Sequence, residues 1–381
     1  MEDELPDYLD SLDQVIRDVV APAAETVDRT GTFPAAGVRA LGDAGLLGLL
    51  SAKDAGGSGE GVRAAAEVVE RLSTACGSTA MVVMMHYSAV PTIEALGPRD
   101  IREAIAGGSH LATLALSEAG SRSHFWSPLS TATRANGSVR LDANKSWVTS
   151  AGHANTYVWS SRPLQEEGPM TLWLVPSNAG GLSEPAGFDG LGLRGNGSSP
   201  VNADAVSVPE ASMLGEDGKG FDYAMTYVLP YFQVLSASVS LGLMEAVVDE
   251  TTHHLGAARY EHLDRAVGQN PVPRLDLARM RLATDRERAL LTDTLAALEG
   301  QRPDAMLRVL EVKASAAETA LDVTDLAMKL CGGSAFRKEL GIERRFRDAR
   351  AARVMAPTTD ALLDFVGRSL LGQPLLDEAV P

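Results

Sequence analysis

Two clusters, Ser-Glu-Ala-Gly-Ser-Arg-Ser at 117–123 and Trp-Val-Thr-Ser-Ala-Gly at 147–152, decide how the rest of the chain is read. Both sit among alternating apolar and polar residues, the period of a strand. Between them runs Ala132-Thr133-Arg134-Ala135-Asn136-Gly137-Ser138-Val139-Arg140-Leu141, in which Asn136-Gly137 can supply the positive φ angles of a tight hairpin. The region is therefore a sheet, and it lies between two long regions of helical period. A small β-domain flanked by helices, with Ser and Thr side chains and Gly backbone at its strand ends, suits a planar cofactor that needs backbone donors and a closely approaching chain.

A chain of 381 residues allows about two or three domains and a core that needs no covalent staples. The two thiols, Cys76 and Cys331, each lie in an apolar run with no metal-ligand spacing, and read as reduced core residues. The net charge of −16, from 50 acidic and 34 basic residues, argues against nucleic acid as a general partner. The acidic start, Met1-Glu2-Asp3-Glu4-Leu5-Pro6, is no secretory signal. Each long apolar stretch is read as broken by charge or glycine before it could span a bilayer. The expectation is a cytoplasmic protein with no membrane contact.

Before the sheet, apolar residues recur at helical intervals over 9–27 (Leu9, Leu12, Val15, Ile16, Val19, Val20), and further helices follow near 38–42, 62–72 and 78–87. The dense glycine of 55–59 is a loop. His86 sits among methionines and valines, so it is neutral or partnered: either a core histidine bonded to a backbone carbonyl or a proton carrier. Trp159, Trp173 and Phe188 read as sheet-core aromatics. After residue 220, helical spacing over 221–254, 274–299, 305–330 and 358–371 has the composition of a four-helix bundle. The alanine-rich face at Ala314, Ala316, Ala317 and Ala320 could pack closely and provide an oligomer interface.

Leu-Ala-Leu-Ser-Glu-Ala-Gly (114–120), Trp147-Val148-Thr149, Leu191-Gly192-Leu193-Arg194-Gly195, Val208-Pro209, the run 214–221, Cys331-Gly332-Gly333 and Arg347-Asp348-Ala349 occur in a telling order. That ordered set, covering nearly the whole chain, resembles the acyl-CoA dehydrogenase family. The resemblance implies a mostly α protein with a middle β-barrel: an N-terminal helical domain (1–110), the barrel (111–216) and a C-terminal four-helix bundle (217–381). It also implies FAD, a CoA- or carrier-linked acyl or aromatic substrate, and a homo-oligomer, usually a tetramer. Carried over residue by residue, Leu116 and Ser117 would meet the pyrimidine edge of the flavin. Trp147, Val148 and Thr149 would lie along the ring's other face, and Ser123 would touch the pyrophosphate and the thioester region. From a neighbouring copy, Gly332 and Gly333 would approach the adenosine diphosphate half, with Thr358 and Asp360 a further FAD contact. Arg259 stands for the family arginine that reaches the diphosphate, although Tyr260-Glu261 follows it instead of Phe-Gly. Arg337-Lys338 with Arg344-Arg345 is a candidate grip on a CoA phosphate, or else a solvated helix-end cluster.

The departures from the family carry the functional expectation. Removing the α-proton of a thioester while hydride leaves the β-carbon needs a carboxylate within hydrogen-bond reach. In the family that glutamate lies in a Tyr-Glu-Gly-Thr run; here the run is Met355-Ala356-Pro357-Thr358, and alanine cannot take a proton. The alternative position on the first bundle helix is Phe232-Gln233. Proline at 357 also removes a backbone donor. Arg122-Ser123-His124-Phe125-Trp126 places bulky and titratable groups where the family has small ones. His124, Ser123, Gln233 and His86 are the expected polar catalytic set, and Ser123, Gln233, Ala356 and Pro357 the substrate contacts. No metal is expected. Three readings stay open. The favoured one is a flavin oxygenase or monooxygenase, using O2 and a flavin reductase or electron-transfer partner. The second is a dehydrogenase whose base has moved, to Glu118 or an imidazole. The third is a non-catalytic FAD- or acyl-CoA-binding subunit.

Overall fold

The computed structural model describes residues 7–122, 124–135, 137–185, 187 and 189–376. Helices α1 (Asp7–Val15), α2 (Ala21–Thr30), α3 (Ala35–Asp43), α4 (Val62–Ala75), α5 (Gly77–Leu96) and α6 (Arg99–Ala106) precede the sheets. A π-helical turn, Ile16–Val20, joins α1 to α2. The buried residues of α5 lie all around its axis, as expected for a helix apolar on every side. It runs beneath the β-domain and packs on the first strand.

The β-domain has strands β1 (Ala112–Ala115), β2 (Thr131–Ala135), β3 (Ser138–Val148), β4 (Thr156–Ser161), β5 (Thr171–Pro176), β6 (Leu182–Ser183), β7 (Ser199–Pro209) and β8 (Met213–Leu214). They form two four-stranded sheets, β1-β4-β5-β8 and β2-β3-β7-β6. The expected β-domain is present, but its sheets do not join into a closed barrel. Among the described strands, β1 and β4 pair in parallel. The hairpin predicted at 136–137 joins β2 to β3, with Ala135 opposite Ser138 and Gly137 at φ 83°; Asn136 and Phe188 lie outside the described residues. Trp159 and Trp173 face each other across β4 and β5, both fully buried.

Beyond a short helix α7 (Gly220–Tyr223) and a second π-helical turn, Ala224–Val228, come α8 (Leu229–Ala257) and a small ribbon of β9 (Arg259–Tyr260) and β10 (Arg265–Ala266). Then follow α9 (Pro271–Glu299), α10 (Ala305–Cys331), α11 (Ile342–Val354) and α12 (Thr359–Leu370). Helix α11 is additional to the four expected. By length and composition the run Gly220–Ala257 could cross a membrane, contrary to the sequence expectation, yet 83% of its most apolar window is buried inside the molecule. It is the central helix of the bundle. Gly242 allows it to meet α4, since a Cβ there would lie 2.3 Å from the Glu70 carbonyl oxygen. Ala314, Ala316, Ala317 and Ala320 are all buried within the chain, so this face packs on the chain's own helices rather than on another copy.

The motifs 191–195 and 347–349 meet in one clasp. Arg347 donates to both carboxylate oxygens of Asp28 on α2, at 2.9 and 2.6 Å, and to the Leu191 carbonyl at 2.9 Å. The Leu193 N–H donates to Asp348 at 2.6 Å, and Arg194 donates to the Asp28 carbonyl at 2.8 Å. Gly192 is required, because a Cβ there would stand 2.5 Å from the Arg347 backbone. These residues bind α2, the β-domain loop and α11 together, so their role is to place the chain segments on either side of them.

Candidate active site

Those segments border a cleft of about 1290 Å³ between the β-domain and the bundle. Single small-molecule sites occupy roughly 300–1,000 Å³, so there is room for two ligands side by side. One wall comes from the ends of β1 and β3 and the loop at 184–199; the other comes from the π-turn, α8 and the turn at 355–358.

Trp147 shows how the sequence builds the first wall. The β3–β7 register slips between Lys145 and Val148, and an extra residue in a strand re-aims its side chain. Trp147 takes φ 57° and stands 66% exposed in the cleft, while Val148 turns into the core at 1%. Arg122 and Leu193 line the same cleft with φ of 51° each. Non-glycine residues in this region concentrate at functional sites.

Below this wall lies a buried ion pair. Lys145 Nζ donates to Glu118 Oε1 at 2.5 Å and to the Ser160 carbonyl at 2.7 Å. The other Glu118 oxygen accepts the N–H groups of Leu129 and Ser130, at 2.6 and 2.9 Å. Burial alone would raise the Glu118 carboxyl, but the Lys145 ammonium and these donors outweigh it and hold it below the usual carboxylate range. A carboxylate so committed cannot serve as a base, which removes Glu118 from the dehydrogenase reading. Its work is to close the 119–128 loop at both ends.

On the opposite wall, Ala356 and Pro357 line the cleft, followed by Thr358, whose side chain caps α12 by accepting the Ala361 N–H. Lys313 fixes this turn from behind: Nζ donates to the carbonyls of Met355 at 2.8 Å and Pro357 at 2.5 Å. Burial pulls this ammonium down to about 7. Sequence reasoning missed Lys313, whose only signal is a lysine set in the alanine-rich face of α10.

The expected catalytic set does not assemble. His86 is fully buried; its Nε2 lies 2.9 Å from the Leu47 carbonyl, and its Nδ1 accepts the Ala112 N–H at 3.1 Å. Both nitrogens are used, so His86 is a core histidine that ties α5 to β1, not a proton carrier. His124 is exposed and outside the cleft lining, with Nδ1 3.2 Å from the Ser121 carbonyl. Gln233 is fully buried with both amide atoms unpartnered, and it too is absent from the lining, where its neighbour Phe232 stands instead. Ser123 lies outside the described residues.

Of the expected cofactor contacts, Leu116, Ser117, Trp147, Thr149 and Thr358 line the cleft; Val148 does not, for the reason given. Arg259, Gly332, Gly333 and Asp360 are exposed away from the cleft of their own chain. The Arg337-Lys338, Arg344-Arg345 patch is broken up: Arg345 turns inward to Glu250 at 2.6 Å. Cys76 and Cys331 are free and buried. The polar end of the cleft, which sequence reasoning did not single out, holds Glu184, which accepts the Tyr157 hydroxyl at 3.1 Å, and His153, stacked on Phe33 at 3.9 Å.

His86 gives the acid response a testable part. Burial lowers it to about 4, so between that value and 6.5 the unfolded chain binds more protons and stability falls as pH falls. From pH 7 to 5 this costs about 2 kcal/mol. Urea unfolding of His86→Gln should lose less stability over that interval than the parent; equal losses would contradict the assignment.

A planar aromatic exposed on a bulged strand, polar strand ends and space for a second ligand together fit a flavoprotein oxidoreductase. Comparison with known proteins agrees. Models described as acyl-CoA dehydrogenase N-terminal, middle and C-terminal domains match residues 2–108, 113–206 and 218–371. The human mitochondrial short-chain specific acyl-CoA dehydrogenase is 30% identical over 94% of this chain and 88% of its own length. Butyryl-CoA dehydrogenase from Megasphaera elsdenii shares the fold with a TM-score of 0.89 at 22% identity, covering 97% of this chain and 100% of that one. The prolyl acyl carrier protein oxidase AnaB does so with a TM-score of 0.86 at 16% identity, covering 96% and 99%. The chain belongs to the acyl-CoA dehydrogenase family, whose members are FAD flavoproteins.

Proposed function

We propose that this protein is an FAD-dependent oxidoreductase acting on an acyl thioester, CoA- or carrier-linked, with O2 rather than carboxylate-assisted α,β-dehydrogenation in its chemistry. The observation that supports this reading is Ala356 at the cleft wall where the family carries its glutamate. Among the described residues, the carboxylates lining the cleft are Glu118, locked by Lys145, and Glu184, at the polar end with Tyr157.

Ser117, Trp147, Thr149 and Thr358, which line the cleft, would hold the flavin. When bound, FAD supplies two-electron transfer to and from the substrate or oxygen. Leu229, Phe232 and Phe125 keep water from the apolar side of the substrate. In a monooxygenase turnover one oxygen atom enters the product and the other leaves as water, with two electrons drawn from a reductase. The test is turnover of a thioester panel under labelled O2 with a flavin reductase, read by mass spectrometry. Label in the product supports the reading, and an unlabelled enoyl product refutes it. Such a product would favour a dehydrogenase with its base elsewhere, the activity named for the human relative.

We further place the protein in the cytoplasm, consistent with its unpaired thiols, as a homo-oligomer. Val272, Leu275 and Leu282 on α9, each 59–64% exposed, suit cover by a second copy.

A further inference from the structure

The apolar side of the cleft has a second space behind it. Phe125, Leu229 and Pro357 each line both the cleft and a void of about 20 Å³. The far side of the void is lined by Trp126, Leu310, Phe365 and Leu375, with no charged or hydroxyl-bearing side chain in its lining. A water needs two to four polar partners, which such a lining does not offer. The space suits hydrocarbon.

Phe125 forms the partition together with Leu229 and Pro357. It is 9% exposed, meets Trp126 edge-on at 5.1 Å, and Trp126 leans on Phe365 of α12 at 5.5 Å. The loop that carries it is held at its ends by the Glu118 carboxylate, so the partition is fixed in place. The charged side chains that line the cleft, Glu118, Arg122, Lys145, Glu184 and Arg194, all come from the β-domain. The bundle's share of the lining, with Ala224, Val228, Leu229, Phe232 and Pro357, carries no charge, so the space between it and Phe125 suits an uncharged, apolar group.

We propose that Phe125 sets the length of the acyl group: it ends the apolar arm of the cleft, so the thioester carries a short or compact uncharged acyl chain, and removing the ring joins the arm to the void behind it. This rests on reading the cleft as an acyl-thioester site. The experiment is calorimetric binding of saturated straight-chain acyl-CoAs, butyryl to dodecanoyl, to the FAD-loaded protein. The parent should stop gaining affinity after the shortest members. Phe125→Ala should gain about fourfold for each further methylene that enters the opened space, the equivalent of about 0.8 kcal/mol per buried CH2, and so about fifteenfold for two. Phe125→Leu, the milder variant, should shift the same way to a smaller extent. Leu375→Ala, which enlarges the void without breaching the wall, should keep the parent profile. Flavin content checks folding in each. The proposal is overturned if folded Phe125→Leu or Phe125→Ala keeps the parent profile, or if the parent already gains affinity along the whole series. Failure of every acyl-CoA to bind any of the proteins would instead overturn the acyl-thioester reading on which it stands.

Discussion

Ala356→Glu is expected to raise α,β-dehydrogenation of simple acyl-CoA by about 10²–10⁴-fold, the usual contribution of a positioned general base. Ala356 lines the cleft in the turn after α11, and that turn is fixed from two directions. Lys313 holds the carbonyls of Met355 and Pro357, and Asp348 of the three-way clasp anchors the preceding helix. A carboxylate added there would face an apolar wall of Leu229 and Phe232, where partial burial raises its affinity for a proton and suits it to act as a base near neutral pH. The assay is enoyl product formed per flavin with a dye acceptor. A folded, flavin-loaded variant with no more activity than the parent would contradict the alignment of Ala356 with the family glutamate.

Glu118→Gln is expected to lower the unfolding free energy by about 3–5 kcal/mol, because removing one partner leaves the other charge buried and uncompensated. Lys145 is fully buried, and its other contacts are to the Ser160 carbonyl and hydroxyls. The same change frees the 119–128 loop, so FAD content should fall as well. The double variant Glu118→Gln/Lys145→Met should recover much of the stability, since no unpaired charge remains, but not the loop's anchor. Chemical denaturation and the flavin-to-protein absorbance ratio read the two effects separately. A single variant as stable as the parent would show that the pair does not hold the loop.

Much of the architecture is legible in the sequence because it rests on period and turn chemistry. The β2–β3 hairpin follows from Asn136-Gly137 and alternation, and the apolar run at 78–87 correctly marks a buried helix. Helix α11 escapes because Arg344, Arg345, Arg347, Arg350 and Arg353 mask its apolar period. Arg345 and Asp348 are nonetheless buried, satisfied by Glu250 and the Leu193 N–H, partners that only the fold brings near. The site is legible in part. Ala356 stands out through the resemblance, and Ser117, Trp147 and Thr149 do reach the cleft. Simple alternation, however, cannot foresee the bulge that sends Trp147 outward and Val148 inward. Nor can it tell a histidine with both nitrogens bonded from one free to carry a proton. Phe125 reads as one bulky residue in a loop until two separate spaces are found on either side of it.

The central claim is that the cleft wall carries alanine at 356, where the family has the carboxylate that takes the α-proton of a bound thioester. It is tested most directly by titrating the oxidised, FAD-loaded parent anaerobically with saturated acyl-CoAs and following the flavin absorbance. The account predicts binding without loss of the flavin bands. Rapid bleaching with release of an enoyl thioester would contradict it.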